Sequence, residues 1–357
     1  MLFIETLIYG GKYLWMSGAI LKVTWNSGVQ IEYNDAKVIL DSKRNRVSGS
    51  AFFISHGHYD HSTAFKIKQA QKYSSRETMD IVSSFGLQVE NCSPIAVGEK
   101  IMIGDIEVIP HNSGHVLGSF EYEIRTPEGT VLFTGDFNTE VTKTMKPAEP
   151  VQCDVLVLEA TFGSPSFVFP RVEEVGMEMV EWAKRIMKSG KIPTFQTDPL
   201  GNAQEIIRVF NEVGIPVITH WKVTRMTKIY ESYGHKLEYF DAETSEAEEI
   251  RRQGDFIYIT PKNLNVSNSN FETALVSGWA LWMRKTGFPL SDHADFPRLV
   301  KFVEECEPRI VLTCHGGRFD EILAEYIERK MHIRAYPINL IPTRICKSQR
   351  KQIQATF

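Results

Sequence analysis

No two of the five cysteines, Cys92, Cys153, Cys306, Cys314 and Cys346, stand in a Cys-x-x-Cys pair, and their scatter makes no disulfide framework. They read as reduced thiols of a cytoplasmic protein. No segment reaches the roughly 18 uncharged apolar residues of a membrane span, so no membrane association is expected. The opening Met1-Leu2-Phe3-Ile4-Glu5 has neither a basic stretch nor a cleavage site, which argues against a signal peptide. Positive charge is not in excess: 40 Lys and Arg face 44 Asp and Glu, a net charge of −4. The whole molecule is therefore no generic polyanion binder, and any nucleic-acid contact must come from local basic patches. Internal repeats and low-complexity segments are missing as well. What remains, 43% apolar and 24% charged residues over 357 positions, is ordinary for a globular protein of one large core or two domains.

Against this background one run stands out. Ser55-His56-Gly57-His58-Tyr59-Asp60-His61 puts three imidazoles and a carboxylate directly after the apolar segment Ala51-Phe52-Phe53-Ile54. A strand that ends in His-x-His-x-Asp-His presents its ligands from one tight loop. Imidazole and carboxylate suit zinc and similar first-row ions, and a compact loop can feed two ions.

Around this run the chain reads as two textures. Up to about Gly163 short strands dominate: Ala19–Val23, Val29–Tyr33, Lys37–Asp41, Glu107–Pro110, Phe120–Ile124, Val131–Thr134 and Val155–Leu158, with helices over Thr63–Gln71 and Ser75–Ser84. Beyond it, helix and strand alternate: helices over Arg171–Lys188 and Asn202–Val213, strands over Lys191–Phe195, Ile215–Thr219 and Phe256–Thr260. This second texture is that of a small α/β domain ending near Ala274–Ser277. Tyr336–Pro342 is too apolar for a free tail and is expected to pack on the body.

Four further stretches complete a constellation. Gly114-His115-Val116-Leu117-Gly118 sets a His between glycines. Phe133-Thr134-Gly135-Asp136-Phe137 ends an apolar strand in an Asp, the place for a carboxylate shared by two ions. Ser291-Asp292-His293-Ala294-Asp295 carries a His in a polar loop, and Thr313-Cys314-His315-Gly316-Gly317 ends a strand in His-Gly. Asp41, at a strand end, either orients a metal-ligating His or closes a turn. Cys314 is either a ligand or a small buried residue. His111 competes with His115 as a ligand but lacks the glycine context; His220, His235 and His332 match nothing.

Together these residues resemble the metallo-β-lactamase superfamily and, within it, the β-CASP nucleases, a group with the cleavage and polyadenylation nuclease, ribonuclease J, Artemis-like repair nucleases and short prokaryotic ligase-associated exonucleases. The resemblance spans about residues 20–320. It rests on His56–His61, Ser113–Gly118, Thr134–Phe137, Glu159 in Leu158-Glu159-Ala160-Thr161, His293 and His315; Ser277-Gly278-Trp279-Ala280 and Phe288–Phe296 look most like the short prokaryotic members. It implies an αββα sandwich with an inserted α/β domain: residues 1–163 and 277–357 for the sandwich, 164–276 for the insert. It implies two zinc ions, with manganese as a substitute. His56, His58 and His115 would hold one, Asp60, His61 and His315 the other, and Asp136 would bridge them. Asp60, Asp136, Glu159 and His293 form the implied catalytic set. His293 would donate a proton to the leaving oxygen, with Glu159 holding it charged and oriented; a plain edge-strand carboxylate is the other reading of Glu159.

The implied activity is phosphodiester cleavage of single-stranded nucleic acid. His315 favours RNA, because RNA-processing members carry His at this place. The Ser277–Ala280 and Phe288–Phe296 stretches pull towards DNA. A thioesterase or lactamase on the same core would lack Glu159, His293 and the insert, and an inactive architectural paralogue would lose ligands. A homodimer or a processing or repair complex is the expected assembly. One departure is visible: where the family usually has Gly-Arg-Ala-Gln-Glu, this chain reads Gly201-Asn202-Ala203-Gln204-Glu205. Two basic clusters are visible, Lys184, Arg185, Lys188 and Lys191 in the insert, expected along the substrate path, and a C-terminal arm with Arg344, Lys347, Arg350 and Lys351, which is either a phosphate-contacting segment or a solvated tail.

Overall fold

The computed structural model describes residues 21–43, 51–266, 268–283 and 286–340. The C-terminal cluster at Arg344, Lys347, Arg350 and Lys351, the start of the expected strand at Ala19 and the end of the Tyr336–Pro342 segment lie outside them. The first sheet is built of β1 (Lys22–Trp25), β2 (Val29–Tyr33), β3 (Ala36–Leu40), β4 (Ala51–Phe53), β5 (Lys72–Ser74) and β6 (Cys92–Pro94), in that order, with helix α1 (Arg76–Ser84) after β5. Strands β1 to β3 pair antiparallel, and β3 to β6 pair parallel. Then come β7 (Ile101–Ile103), β8 (Ile106–Asn112), β9 (Phe120–Thr126), β10 (Gly129–Phe133) and β11 (Val155–Glu159), the body of a second sheet.

Helices α2 (Val172–Lys188), α3 (Asn202–Glu212), α4 (Trp221–Ser232) and α5 (Ser245–Gln253) accompany a third sheet of β12 (Ile192–Thr197), β13 (Val217–Thr219), β14 (Phe240–Asp241), β15 (Ile257–Pro261), β16 (Phe271–Val276) and β17 (Gly287–Phe288). Its order is β14-β13-β15-β12-β16-β17, parallel throughout, so the sheet runs on to Phe288. Helices α6 (Phe296–Cys306) and α7 (Arg318–Tyr326) flank β18 (Ile310–Cys314), and β19 (Arg334–Pro337) ends the described chain. These two strands return to the second sheet, whose order is β19-β18-β11-β10-β9-β8-β7.

Period-two burial explains the layering. Val23, Ile31, Val38 and Phe53 of the first sheet meet Val108, Tyr122, Phe133, Val157 and Leu312 of the second in one core. The opposite faces carry helices. Ile39 and Phe52 lie under Met79 and Val82 of α1, and Leu132, Leu156 and Val311 lie under Leu299, Phe302 and Leu323 of α6 and α7. The result is the expected αββα sandwich. Helices α2 to α4 cover one face of the third sheet around Phe195, Phe210 and Tyr230, and this core also takes in Val116, Leu117 and Ile81 from the sandwich. The Tyr230 hydroxyl accepts from the Leu117 amide at 3.1 Å, which ties the third sheet to the His115 loop.

Most expected elements are present, with one correction. Thr63–Gln71 is not a helix: a single 3₁₀ turn, Ser62–Lys66, gives way to extended backbone at Ile67. Lys72 is the reason. Its buried ammonium donates to the carbonyls of Ile67 at 2.6 Å and Ala70 at 2.7 Å, which draws those groups out of any helical ladder. The Tyr336 segment packs on the body as expected, since β19 pairs with β18 and Ile338 is buried. Among the described residues no helix is long and apolar enough to cross a membrane.

Candidate metal centre

Every ligand-type residue sits at the end of a strand or in the loop that follows one, at the same edge of the sandwich. His56, His58 and His61 follow β4, His115 follows β8, Asp136 follows β10, Glu159 ends β11 and His315 follows β18. The last needs its glycines. Cys314 ends the strand, His315 takes a positive φ of 65°, and a Cβ on Gly316 would lie 2.2 Å from the Ala160 carbonyl oxygen, so only glycine lets the chain turn here. The Gly316 amide donates to Asp320 at 2.8 Å and fixes the turn.

Five overlapping compact groups result among the described residues, and two of them hold the expected ligands. His56, His58, His115 and Asp136 each offer an atom within 4.8 Å of the others, and His61, Asp136 and His315 form a second group. Asp136 belongs to both. Its carboxylate lies 3.5 Å from His56 Nε2, 3.3 Å from His61 Nε2, 3.9 Å from His115 Nε2 and 3.6 Å from His315 Nδ1. These separations are long for hydrogen bonds, but they match ligands about 2.0–2.2 Å from one tetrahedral ion, which stand about 3.4 Å apart. His56 Nε2 and Asp136 Oδ1 are buried without any hydrogen-bond partner. A buried polar atom in that state costs free energy unless something completes it. The donor set therefore fits metal ions.

Charge tells the same story. Burial and the imidazoles of His61, His115 and His58 hold His56 well below the usual histidine range, in the neutral form that binds metal. Burial also lowers His115, with His293 and His58 adding to it against the pull of the Asp292 and Asp136 carboxylates. His61 behaves oppositely: burial would lower it, but the Asp136 and Asp41 carboxylates carry it well above the usual value. A proton thus sits where a cation would be welcome, and metal binding should release it. Burial opposes ionisation of Asp136, yet His61, His315, His293 and His56 keep its carboxyl well below the ordinary range.

Outer groups orient the ligands. Asp41, itself at a positive φ of 47°, places Oδ2 2.7 Å from His61 Nδ1. The same oxygen accepts from Ser55 Oγ at 2.5 Å, and that hydroxyl lies 2.9 Å from His56 Nδ1. Asp41 therefore orients two imidazoles, which decides between its two readings. His115 Nδ1 donates to the Asp292 carbonyl at 2.9 Å, which turns Nε2 towards the centre, 3.0 Å from His58 Nδ1. Glu159 stands 3.0 Å from His293 Nδ1 and also accepts from the Phe137 amide at 2.8 Å, so it is no plain edge-strand carboxylate.

Not every expected residue is drawn in equally. Asp60 lies at the rim, exposed, 3.5 Å from His61 Nε2 and outside both compact groups. His111 is occupied elsewhere, 3.0 Å from Glu123. Cys314 is buried at its strand end, and burial pushes its thiol well up, so it takes the structural reading. The sequence reading passed over Ser55, the Asp292 carbonyl and Asp198. Asp198 Oδ1 comes within 3.9 Å of His58 Nε2 while its other oxygen pairs with Lys262 at 3.0 Å.

The role of Asp41 is open to a direct check. Outer-shell carboxylates of metal-binding His typically contribute about 10–100-fold in metal affinity. Asp41→Ala should weaken metal binding by that order with the fold intact, read as the chelator concentration that removes half of the metal. Unchanged chelator resistance would show that Asp41 only closes its turn.

The centre opens into a cavity of about 830 Å³. Sandwich residues such as Tyr59, Asp136 and His315 line one side, and Asp198, Asn202 and Lys262 line the other.

Known proteins resemble this chain in the same terms. Residues 40–194 match the beta-lactamase superfamily domain. A probable DNA ligase of Opitutus terrae is 27% identical over 283 residues, 74% of this chain and 26% of that protein. An RNase J-like protein of Methanocaldococcus jannaschii is 25% identical over 244 residues, 58% of each chain. The chain thus spans about a quarter and somewhat over half of these curated relatives. A solved structure from Enterococcus faecalis, described as a protein of unknown function, superposes with a TM-score of 0.64 over 89% of this chain and 96% of its own, at 14% identity, which speaks for the fold alone. With two ligand groups sharing one strand-end Asp, a Glu-held His beside them and relatives of this kind, the chain carries a beta-lactamase superfamily domain over residues 40–194 and is similar, beyond that domain, to the β-CASP proteins among its relatives.

Proposed function

We propose that this protein is a two-metal phosphodiesterase that cleaves single-stranded nucleic acid, RNA in preference to DNA. The observation that carries this reading is Asp136, shared by two buried ligand groups at the floor of a cavity whose edge holds a Glu159-oriented His293. His56, His58 and His115 would hold one ion, His61, His315 and the rim carboxylate Asp60 the other, with Asp136 between them. Zinc suits this imidazole and carboxylate set, and manganese is the substitute we expect to work. Bound ions supply a water of lowered pKa as nucleophile and Lewis-acid neutralisation of the phosphoryl oxygens.

The chain's own residues do the rest. Asp41 and Ser55 fix the ring angles of His61 and His56. His293 faces the cavity with Nδ1 locked against Glu159, which leaves Nε2 to give its proton to the departing oxygen. Burial alone would lower the pKa of His293; the Glu159 carboxylate, helped by Asp136 and Asp292, overrides this and carries it up to about 10. The group is thus an acid at neutral pH.

Among the described residues we assign 164–288 to an inserted unit, twelve residues beyond the expected end at 276 because β17 still pairs in its sheet, with the residues before and after it as the sandwich, and we take the cavity between them as the path of the strand. The RNase J-like relative and His315 support RNA. DNA is the second reading, favoured by the DNA ligase-named relative that matches 74% of the chain. The four described cysteines are free thiols, which suits a cytoplasmic setting. Assembly as a homodimer or in a processing complex is part of the same proposal.

The test is a pair of end-labelled RNA and DNA single strands of one sequence, digested with protein of known metal content. We expect two ions per chain, chelator-sensitive cleavage and faster loss of the RNA. Absence of cleavage of both strands with zinc or manganese added would overturn the nuclease reading, and faster loss of the DNA would reverse the preference.

A further inference from the structure

Beside the metal centre lies a group of aromatic side chains that the proposed chemistry does not use. Ser277 starts a 3₁₀ turn, Gly278–Trp282, and its Oγ accepts from the Trp279 amide at 3.4 Å. The turn rests directly on Phe162. A Cβ at Gly278 would lie 2.5 Å from Phe162 Cζ and 2.6 Å from Phe169 Cζ, so glycine is what lets the two indoles come down on this base. Trp279 then packs on Phe162 with ring centroids 5.0 Å apart, and Trp282 stacks on Phe167 at 4.2 Å. Phe162, Phe167 and Phe319 below them are buried, which holds both indoles in place.

Part of each indole remains exposed. Trp279 is 40% and Trp282 44% exposed, with Leu281 and Met283 exposed beside them. Indoles contribute large apolar area when buried, so two neighbouring ones left open on a rigid base mark a binding surface. Two facts identify what it binds. First, the surface is continuous with the active cavity: Trp279 lines it, and Phe162 links Trp279 to the His293 ring 5.9 Å away. A protein seated here would shut the cavity, whereas a strand leaving the metal centre would run straight over it. Second, its far end is cationic, with the Arg318 guanidinium 5.7 Å over the Trp282 ring and 4.9 Å over that of Phe319. Alternating π-faces and a guanidinium fit a chain of bases joined by phosphates.

We propose that Trp279 and Trp282 form a base-stacking platform, on which the nucleobases next to the phosphodiester at the metal centre lie, with Arg318 meeting the backbone phosphate. The platform rests on the nuclease reading above and adds to it the part of the substrate that is recognised: unpaired bases, whatever their sequence. Because every base has a π-face, the surface serves RNA and DNA alike. It selects single strands, since duplex bases are already stacked.

The test compares two ligands on the full, metal-loaded chain carrying His293→Ala to slow turnover. One is a short oligouridylate, the other an abasic ribose-phosphate strand of equal length. Stacking by one or two bases should make the oligouridylate bind about tenfold or more tightly than the abasic strand. It should quench indole fluorescence, while the abasic strand and inorganic phosphate should not. Replacing Trp279 and Trp282 together by Ala should erase the difference between the strands, and replacing both by Phe should restore most of it, which a loss of fold would not do. Equal binding of the two strands, or no quenching, by a protein that still cleaves oligouridylate overturns the platform and leaves the nuclease reading standing. A doubled mass in sedimentation that Trp282→Ala abolishes would assign the face to a second copy instead and overturn it too. Failure to bind or cleave either strand removes both readings.

Discussion

Asp136→Ala should abolish cleavage and cost the protein at least one of the two metal ions proposed for it. The expected loss is the largest for any single residue, because Asp136 alone stands in both ligand groups, within 3.3–3.9 Å of His56, His61, His115 and His315. Lewis-acid stabilisation by a bound ion amounts to several kcal/mol, so its loss should slow cleavage about 10³-fold or more. Asp136→Asn separates charge from shape. The amide fills the same space but cannot supply a full negative charge between two cations, and it should lose metal nearly as fully as the alanine variant. Elemental analysis beside single-turnover cleavage decides the matter. Two ions retained together with full activity in either variant would show that the bridge lies elsewhere.

His293→Ala is the second large effect, of a different kind. It should slow cleavage by about 10²–10⁴-fold, the usual contribution of a general acid, while both ions stay bound. The pH dependence follows from the environment of this side chain. Its pKa is raised to about 10, so the proton is present through neutral pH and is lost as pH rises through that value. The wild-type rate should therefore hold at neutral pH and fall only on the far alkaline side. Glu159→Gln removes the principal carboxylate that raises this pKa but keeps an oxygen near His293 Nδ1. The alkaline limb should then move to lower pH, with a milder loss of rate at neutral pH than in the alanine variant. A limb that stays in place would deny Glu159 its electrostatic role. Loss of an ion from His293→Ala would make His293 a ligand and exchange its role with that of His315.

Much of this centre was legible in the sequence because its chemistry permits so few residue types. An ion needs imidazole or carboxylate, and a strand end followed by a tight loop is where a sandwich can present them. His56, His58, His61, His115, Asp136, Glu159, His293 and His315 could be read in that way, one strand end at a time. The strands were legible from their alternation, and α2 and α3 from apolar stripes. Helix α4 was not, because Thr224 and Thr227 share its buried face with Val223, Met226 and Tyr230 and blur the stripe. Helix α5 buries only Ala247 and leaves almost no periodic signal. Lys72, charged in the sequence and buried in the fold, hid a strand and ended the helix expected before it.

What the sequence alone fixed, then, is the inventory: which side chains can bind metal, and which can hold or give a proton. What only the tertiary structure decided is their relation. Twenty positions separate Asp41 from His61, and nothing local says that one carboxylate holds that ring and, through Ser55, the ring of His56 as well. His111 and His115 compete on paper until the pairing of β8 with β9 gives the first to Glu123. The aromatic face joins residues 162, 167, 279, 282, 318 and 319, which come together only because the segment after β11, the turn after β16 and the start of α7 converge beside His293. Ligand type is a property of single residues and survives in the sequence. Distance and direction depend on strand order and on packing between distant segments, and they exist only once the chain has folded.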